Sequence, residues 1–225
     1  MIEHRIAIHL HGIDGVEQRA VVLSQGVIAG WTGRDVEALE KHMVELEALG
    51  IRRPASTPIF YRVAASRFVN ASAIEVSGGD SSGEAEFVML QHGGELLIGV
   101  GSDHTDRTVE AYGVTVSKQM CEKPISFDFW RFADVEDHWE ELVLRSWNEG
   151  VLYQEGPVSK MRTPGDLIGR YAPDGLGEGT IMFGGTLAAI GGIRPTPHFA
   201  FALEDPVLGR TLRHEYSVVD LPMAG

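Results

Sequence analysis

Two short apolar runs, Glu84-Ala85-Glu86-Phe87-Val88-Met89-Leu90 and Glu95-Leu96-Leu97-Ile98-Gly99-Val100, flank the dipeptide Gly93-Gly94. Adjacent glycines supply the positive φ angles that a tight hairpin turn demands, so the runs read as paired antiparallel strands. The rest of the chain keeps to the same scale. Gly 27 and Pro 10 among 225 residues give frequent turns between short apolar segments, which favours strands over a helical bundle. Further strands are expected at residues 6–10, 21–23, 27–30, 59–63, 73–76, 151–153, 180–183, 199–203 and 213–219.

Two helices are expected. The first is capped by Thr32, with Asp35 three residues on. Val36, Leu39, Met43, Leu46 and Leu49 recur at helical spacing and Gly50 supplies a stop. Its acidic residues Glu37, Glu40, Glu45 and Glu47 read as a solvated face. The second starts at Asp134, places Val135, Trp139, Leu142 and Val143 on one side, and ends at Gly150. The segment 52–58 carries two prolines and reads as a linker. It divides the chain into a small N-terminal unit, 1–53, and a main β domain, 54–225.

Hydrophobic residues make up 44% of the chain, enough for a sizeable core without disulfides. The formal net charge of −13 argues against nucleic acid or an anionic membrane as a partner. It does not argue against a small carboxylate, because one arginine and a metal ion make a cleft attractive to an anion whatever the total. The single cysteine, Cys121, precludes an intrachain disulfide, fits a cytoplasmic protein and lacks any nucleophile motif. No run approaches the ~18 apolar residues of a spanning helix, and neither export nor membrane insertion is expected.

Side chains alternate along a strand, so Glu84 and Glu86 point the same way, about 6.5 Å apart. Pairing centred between Gly93 and Gly94 sets Asp103 opposite Glu84, and directly opposed residues share a face. Three carboxylates in one place repel unless a proton or a cation lies among them. An all-oxygen set suits Mg²⁺, Mn²⁺ or Ca²⁺ more than zinc. The alternative is that Glu84 and Glu86 line the wet face of an edge strand, and a bulge near Gly99 or Gly101 would shift the register.

The polar run Gly101-Ser102-Asp103-His104-Thr105-Asp106-Arg107 follows. His104 beside Asp103 either shuttles protons or makes plain hydrogen bonds. Asp106 suits a helix cap, with Arg107 available to neutralise it. Lys118 and Lys123 flank Cys121, and either is placed to meet a substrate carboxylate or a developing enolate. In Gly179-Thr180-Ile181-Met182-Phe183-Gly184-Gly185-Thr186, backbone N–H groups and the Thr186 hydroxyl form either an anion cradle or a tight β-turn.

In order, Glu84-Ala85-Glu86, Asp103 with Asp106-Arg107, a lysine, and the Gly179-to-Gly191 strand and loop resemble the fumarylacetoacetate hydrolase superfamily. Residues 57–63 look like the strand opening its catalytic domain. The likeness spans roughly residues 54 to 218 and is nearest a bacterial offshoot bearing the Gly-Ser-Asp-His-Thr-Asp-Arg signature. The resemblance implies a mostly β fold with some α, a twisted β-sandwich or roll of mixed sheets with a small N-terminal α/β unit. It implies Mg²⁺ or Mn²⁺ (Ca²⁺ as a substitute) on Glu84, Glu86 and Asp103, with His104, Lys118 and Thr186 as catalytic candidates. Lys118 is the first choice over Lys123. The implied activity is a metal-dependent hydrolase or lyase acting on a small 2-oxo or 1,3-diketo acid through a metal-stabilised enolate, in a homodimer. The alternative is a small-molecule binding or regulatory protein on the same fold. Two departures stand out: Leu187 replaces the usual proline and Gly184 the usual threonine.

Overall fold

The computed structural model describes residues 4–12, 15–37, 39–40, 43–44 and 53–224. Its strands in chain order are β1 (His4–Gly12), β2 (Gly15–Leu23), β3 (Gln25–Gly30), β4 (Ile59–Val63), β5 (Phe68–Val69), β6 (Ala73–Ser77), β7 (Ser81–Ser82), β8 (Ala85–His92) and β9 (Glu95–Ser102). There follow β10 (Thr105–Asp106), β11 (Lys123–Pro124), β12 (Asp128–Arg131), β13 (Val143–Asn148), β14 (Val151–Pro157), β15 (Thr180–Thr186), β16 (His198–Asp205) and β17 (Arg210–Leu221).

Thirteen of them form a curled eight-stranded sheet, in the order β2-β1-β12-β9-β8-β15-β3-β4, and a five-stranded sheet, β14-β13-β16-β17-β6; β10 pairs with β7 and β11 with β5 as two-stranded ribbons. Both sheets are mixed. β1 with β12, β15 with β3 and β17 with β6 are parallel, and their neighbours are antiparallel. The expected mostly β, twisted sandwich-like architecture is the one found. β1 to β3 lie within the eight-stranded sheet, so the backbone of residues 4–30 pairs directly with strands beyond residue 58.

The hairpin β8–β9 shows why this sheet forms. Gly93 and Gly94 both have positive φ (63° and 80°), the primed turn that matches strand twist. Both faces of β8 are buried. Phe87 and Met89 belong to the core that includes Phe199, Phe201 and Tyr216 of the five-stranded sheet, while Val88 and Leu90 belong to a second core with Ile6, Ile8 and Phe129. A strand covered on both sides needs a continuous apolar run rather than alternation. Glu84 and Glu86 extend the Val88–Leu90 row into this buried setting.

The helix expected from Asp134 is not there. Residues 132–134 and 136–141 form 3-10 turns, broken at His138 (φ −129°, ψ 25°), and the chain then runs as β13. Val135, Trp139 and Leu142 are buried as expected, but Leu144, Ser146 and Asn148 are buried alternately, the period of a strand. Pairing with β14 and β16 on both sides overrides a weak helical pattern. Val36, Glu37, Leu39, Glu40, Met43 and Val44 of the first expected helix are helical; Glu45, Leu46, Glu47, Leu49 and Gly50 lie outside the described residues. Three further helices, Arg107–Tyr112, Val114–Met120 and Pro164–Tyr171, escaped the sequence reading. Among the described residues, no helix is long and apolar enough to cross a membrane.

Packing explains the glycine at position 184. A Cβ on Gly184 would stand 2.1 Å from two ring carbons of Phe87, so the more usual threonine has no room here. Leu187 is buried in the core between the sheets. Gly184→Ala is expected to destabilise the fold by roughly 1–3 kcal/mol, read from urea unfolding; an unchanged midpoint would show that Phe87 yields freely.

Candidate metal centre

The hairpin register places the carboxylates as the sequence arithmetic requires. Ala85 pairs with Ser102 and Glu86 with Gly101, and the Asp103 N–H donates to Glu84 O at 2.9 Å, continuing the ladder one step. No bulge intervenes. Glu84, Glu86 and Asp103 each offer an oxygen within 4.8 Å of the others, a group able to hold a metal ion. Glu86 and Asp103 are buried and Glu84 nearly so.

Each carboxylate is oriented by a different part of the chain. The Gly185 N–H donates to Glu86 Oε2 at 2.6 Å, from the irregular end of β15, where the register against β8 shifts and a φ of +105° favours glycine. Arg107 opens a short helix capped by Asp106, whose Oδ1 accepts from Val109 N at 2.8 Å. The Arg107 guanidinium reaches Glu84 at 3.3 Å, Glu110 at 2.9 Å and Ser82 Oγ at 2.7 Å. Asp106 therefore caps as expected, while Arg107 serves Glu84. The helix Val114–Met120 delivers Lys118 to Asp103 Oδ2, and β11, paired with β5, delivers Lys123 to Oδ1 at 2.9 Å. Both lysines left open by the sequence thus meet the same carboxylate.

The charges respond to this setting. Burial pushes the Glu86 carboxyl well above the usual range, and the adjacent Asp103 and Glu84 push it further. Glu84 is raised by burial, with Arg107 opposing. Burial would raise Asp103 too, but the ammonium groups of Lys118 and Lys123 outweigh it and hold the carboxyl low. Burial alone would lower Lys118, yet Asp103 lifts it above its ordinary value; at Lys123 burial wins and the net direction is down.

His104 follows Asp103 but turns away from it. Its ring nitrogens lie 2.8 Å from Tyr216 Oη and 2.8 Å from Ser81 Oγ, with the ring edge-on to Tyr216. Burial, helped by the charges of Lys123 and Arg107, pushes it down to about 3, so the ring is neutral at pH 7. Thr186 is half-buried at the end of β15. Its hydroxyl donates to Ala85 O at 2.8 Å and accepts from Gln154 Nε2 at 2.8 Å. Gln154 also accepts from Ala85 N and donates to Leu187 O, a brace on the glycine loop that the sequence did not reveal. Cys121 is buried and free, its thiol raised by burial.

No curated protein matches the chain in sequence. Solved structures do match in fold. The fumarylpyruvate hydrolase from Pseudomonas aeruginosa, in complex with Mn²⁺ and pyruvate, is 16% identical, with 98% of each chain covered and a TM-score of 0.64. The 2-hydroxyhepta-2,4-diene-1,7-dioate isomerase from Mycobacterium marinum is 15% identical over 96% of this chain and 98% of that one, at 0.66. A yeast fumarylacetoacetate hydrolase family protein, ynq8, is 15% identical over 90% of this chain and 95% of that one, at 0.66. The fold is accordingly that of the fumarylacetoacetate hydrolase superfamily. The family model described as "Protein of unknown function (DUF2848)" matches residues 29–216, and the chain belongs to that family.

Proposed function

We propose that Glu84, Glu86 and Asp103 hold Mg²⁺ or Mn²⁺, and that the protein is a metal-dependent hydrolase or lyase of small 2-oxo or 1,3-diketo acids. The observation that carries this reading is the convergence of three carboxylate oxygens within 4.8 Å at a largely buried site. Among the three, Glu86 is driven toward its neutral form by burial and by its neighbours, which is the state a cation relieves. The donor set is all oxygen, which suits a hard divalent ion. When bound, such an ion supplies Lewis-acid stabilisation of an enolate.

The chain's own groups take complementary parts. Lys118, buried and charged, fixes Asp103 and adds positive potential for a substrate carboxylate. Arg107 orients Glu84, and Gly185 N–H orients Glu86. His104 ties the Gly-Ser-Asp-His-Thr-Asp-Arg run, which we read as the mark of this branch, to Tyr216 and Ser81. Thr186 fixes the loop end beside Ala85, leaving neighbouring backbone groups to meet an anion. The Mn²⁺ and pyruvate of the Pseudomonas protein support the pairing of an ion with a 2-oxo acid.

Oxalate, which mimics an enolate, is expected to bind only when Mg²⁺ or Mn²⁺ is present; equal affinity in chelator would reject the coordination mode. Turnover of any member of a panel of acylpyruvates, oxaloacetate and sugar-derived 2-oxo acids, with products identified, separates the enzyme from a binding protein on the same fold.

A further inference from the structure

Asp103 faces more positive charge than its neighbours in the cluster. Lys118 holds Oδ2, while Lys123 Nζ lies 2.9 Å from Oδ1 and also donates to His104 O. Glu84 instead faces Arg107, and Glu86 accepts from a backbone N–H. Lys123 is fully buried on the two-residue strand β11, so water screens its charge little.

Hard divalent ions sit about 2.0–2.6 Å from their oxygen ligands. An ion on Oδ1 would therefore stand within about 5.5 Å of the Lys123 ammonium, and buried like charges at that range repel strongly. Lys118 already supplies Asp103 with a counter-charge. The second lysine thus opposes the ion without being required to prepare its ligand.

We propose that Lys123 is a resident counter-cation of the carboxylate cluster: it holds Asp103 in the ion-free protein and keeps affinity for the divalent ion low until an anion arrives. This rests on the metal-site reading above. The ion adds two positive charges beside Lys123, and a chelating 2-oxo acid with a second acidic group offsets them. Ion and dianionic acid then bind as a pair, each tightening the other by the same factor.

The test is Mn²⁺ binding, read from the electron paramagnetic resonance signal of the free ion, with and without oxalate. In the wild type, oxalate is expected to tighten Mn²⁺ at least about 10-fold. Lys123→Met is expected to bind Mn²⁺ alone at least about 10-fold tighter than wild type and to gain less from oxalate. Loss of a merely structural lysine would not tighten binding, so the gain separates the two roles. Lys123→Gln, which retains a donor for His104 O, should behave likewise and covers a poorly folding methionine variant. Equal or weaker Mn²⁺ binding in a folded variant overturns the role of Lys123 and leaves the metal site standing. Tight wild-type binding that oxalate does not improve overturns it too, with no variant needed. Failure of wild type and variants alike to bind Mn²⁺ overturns both readings.

Discussion

Glu86→Gln is expected to leave the ion-free protein at least as stable as the wild type at pH 7, while lowering affinity for Mg²⁺ or Mn²⁺ at least about 100-fold. The two effects share one cause. Burial, then Asp103 and Glu84, raise the Glu86 carboxyl well above its ordinary value. A carboxyl with a raised folded pKa binds its proton more tightly when folded, so ionising it opposes folding. Its favourable contribution is complete below the unfolded value of about 4.3 and declines as pH rises toward the folded value. Glutamine is neutral throughout, and its Oε1 still accepts from the Gly185 N–H. Urea unfolding in chelator should therefore show the wild type losing stability relative to the variant as pH rises from about 4.3 toward neutrality. A variant clearly less stable than wild type at pH 7 would mean that Glu86 is not under electrostatic pressure.

Asp103→Asn is expected to act in the opposite direction, destabilising the protein by about 3–5 kcal/mol. Burial raises the Asp103 carboxyl, but Lys118 and Lys123 overcome that and hold it low. Removing the anion leaves two buried ammonium groups, at Lys118 and Lys123, without their carboxylate. A group whose folded pKa is depressed contributes stability above its unfolded value, about 3.9 for aspartate, and loses it as pH falls through the folded one. The folded value lies far below, so the contribution persists well into acid. Urea unfolding of both proteins at pH 7 measures the difference, and a loss below about 1 kcal/mol would show that the lysines find other partners.

Local signals carried the hairpin and the cluster. Gly93-Gly94 fixes one register, and that register alone brings Asp103 beside Glu84. Most expected strands lie inside observed ones for the same reason, a short apolar run between turn residues. Asp106 was legible as a cap because capping involves residues three apart. What failed depended on distant partners. β13 is a strand because β14 and β16 flank it, which Val135 to Val143 do not announce. Whether Lys118 or Lys123 meets Asp103 turns on the β11–β5 pairing across more than fifty residues of sequence, and the answer is both. His104 was equally open beside Asp103, and only the long return of β17 supplies the Tyr216 hydroxyl that turns its ring away. The helix Pro164–Tyr171 had a readable start, with Thr163 accepting from Asp166 N and proline in the first turn.

A divalent cation held by Glu84, Glu86 and Asp103 is expected to register in calorimetric titration of the wild type and Glu86→Gln with Mn²⁺ and Mg²⁺, both in the presence of oxalate. One ion per chain in the wild type, and loss of that binding in Glu86→Gln, is the expected result. Absence of binding in the wild type, or the same affinity in the variant, would contradict it.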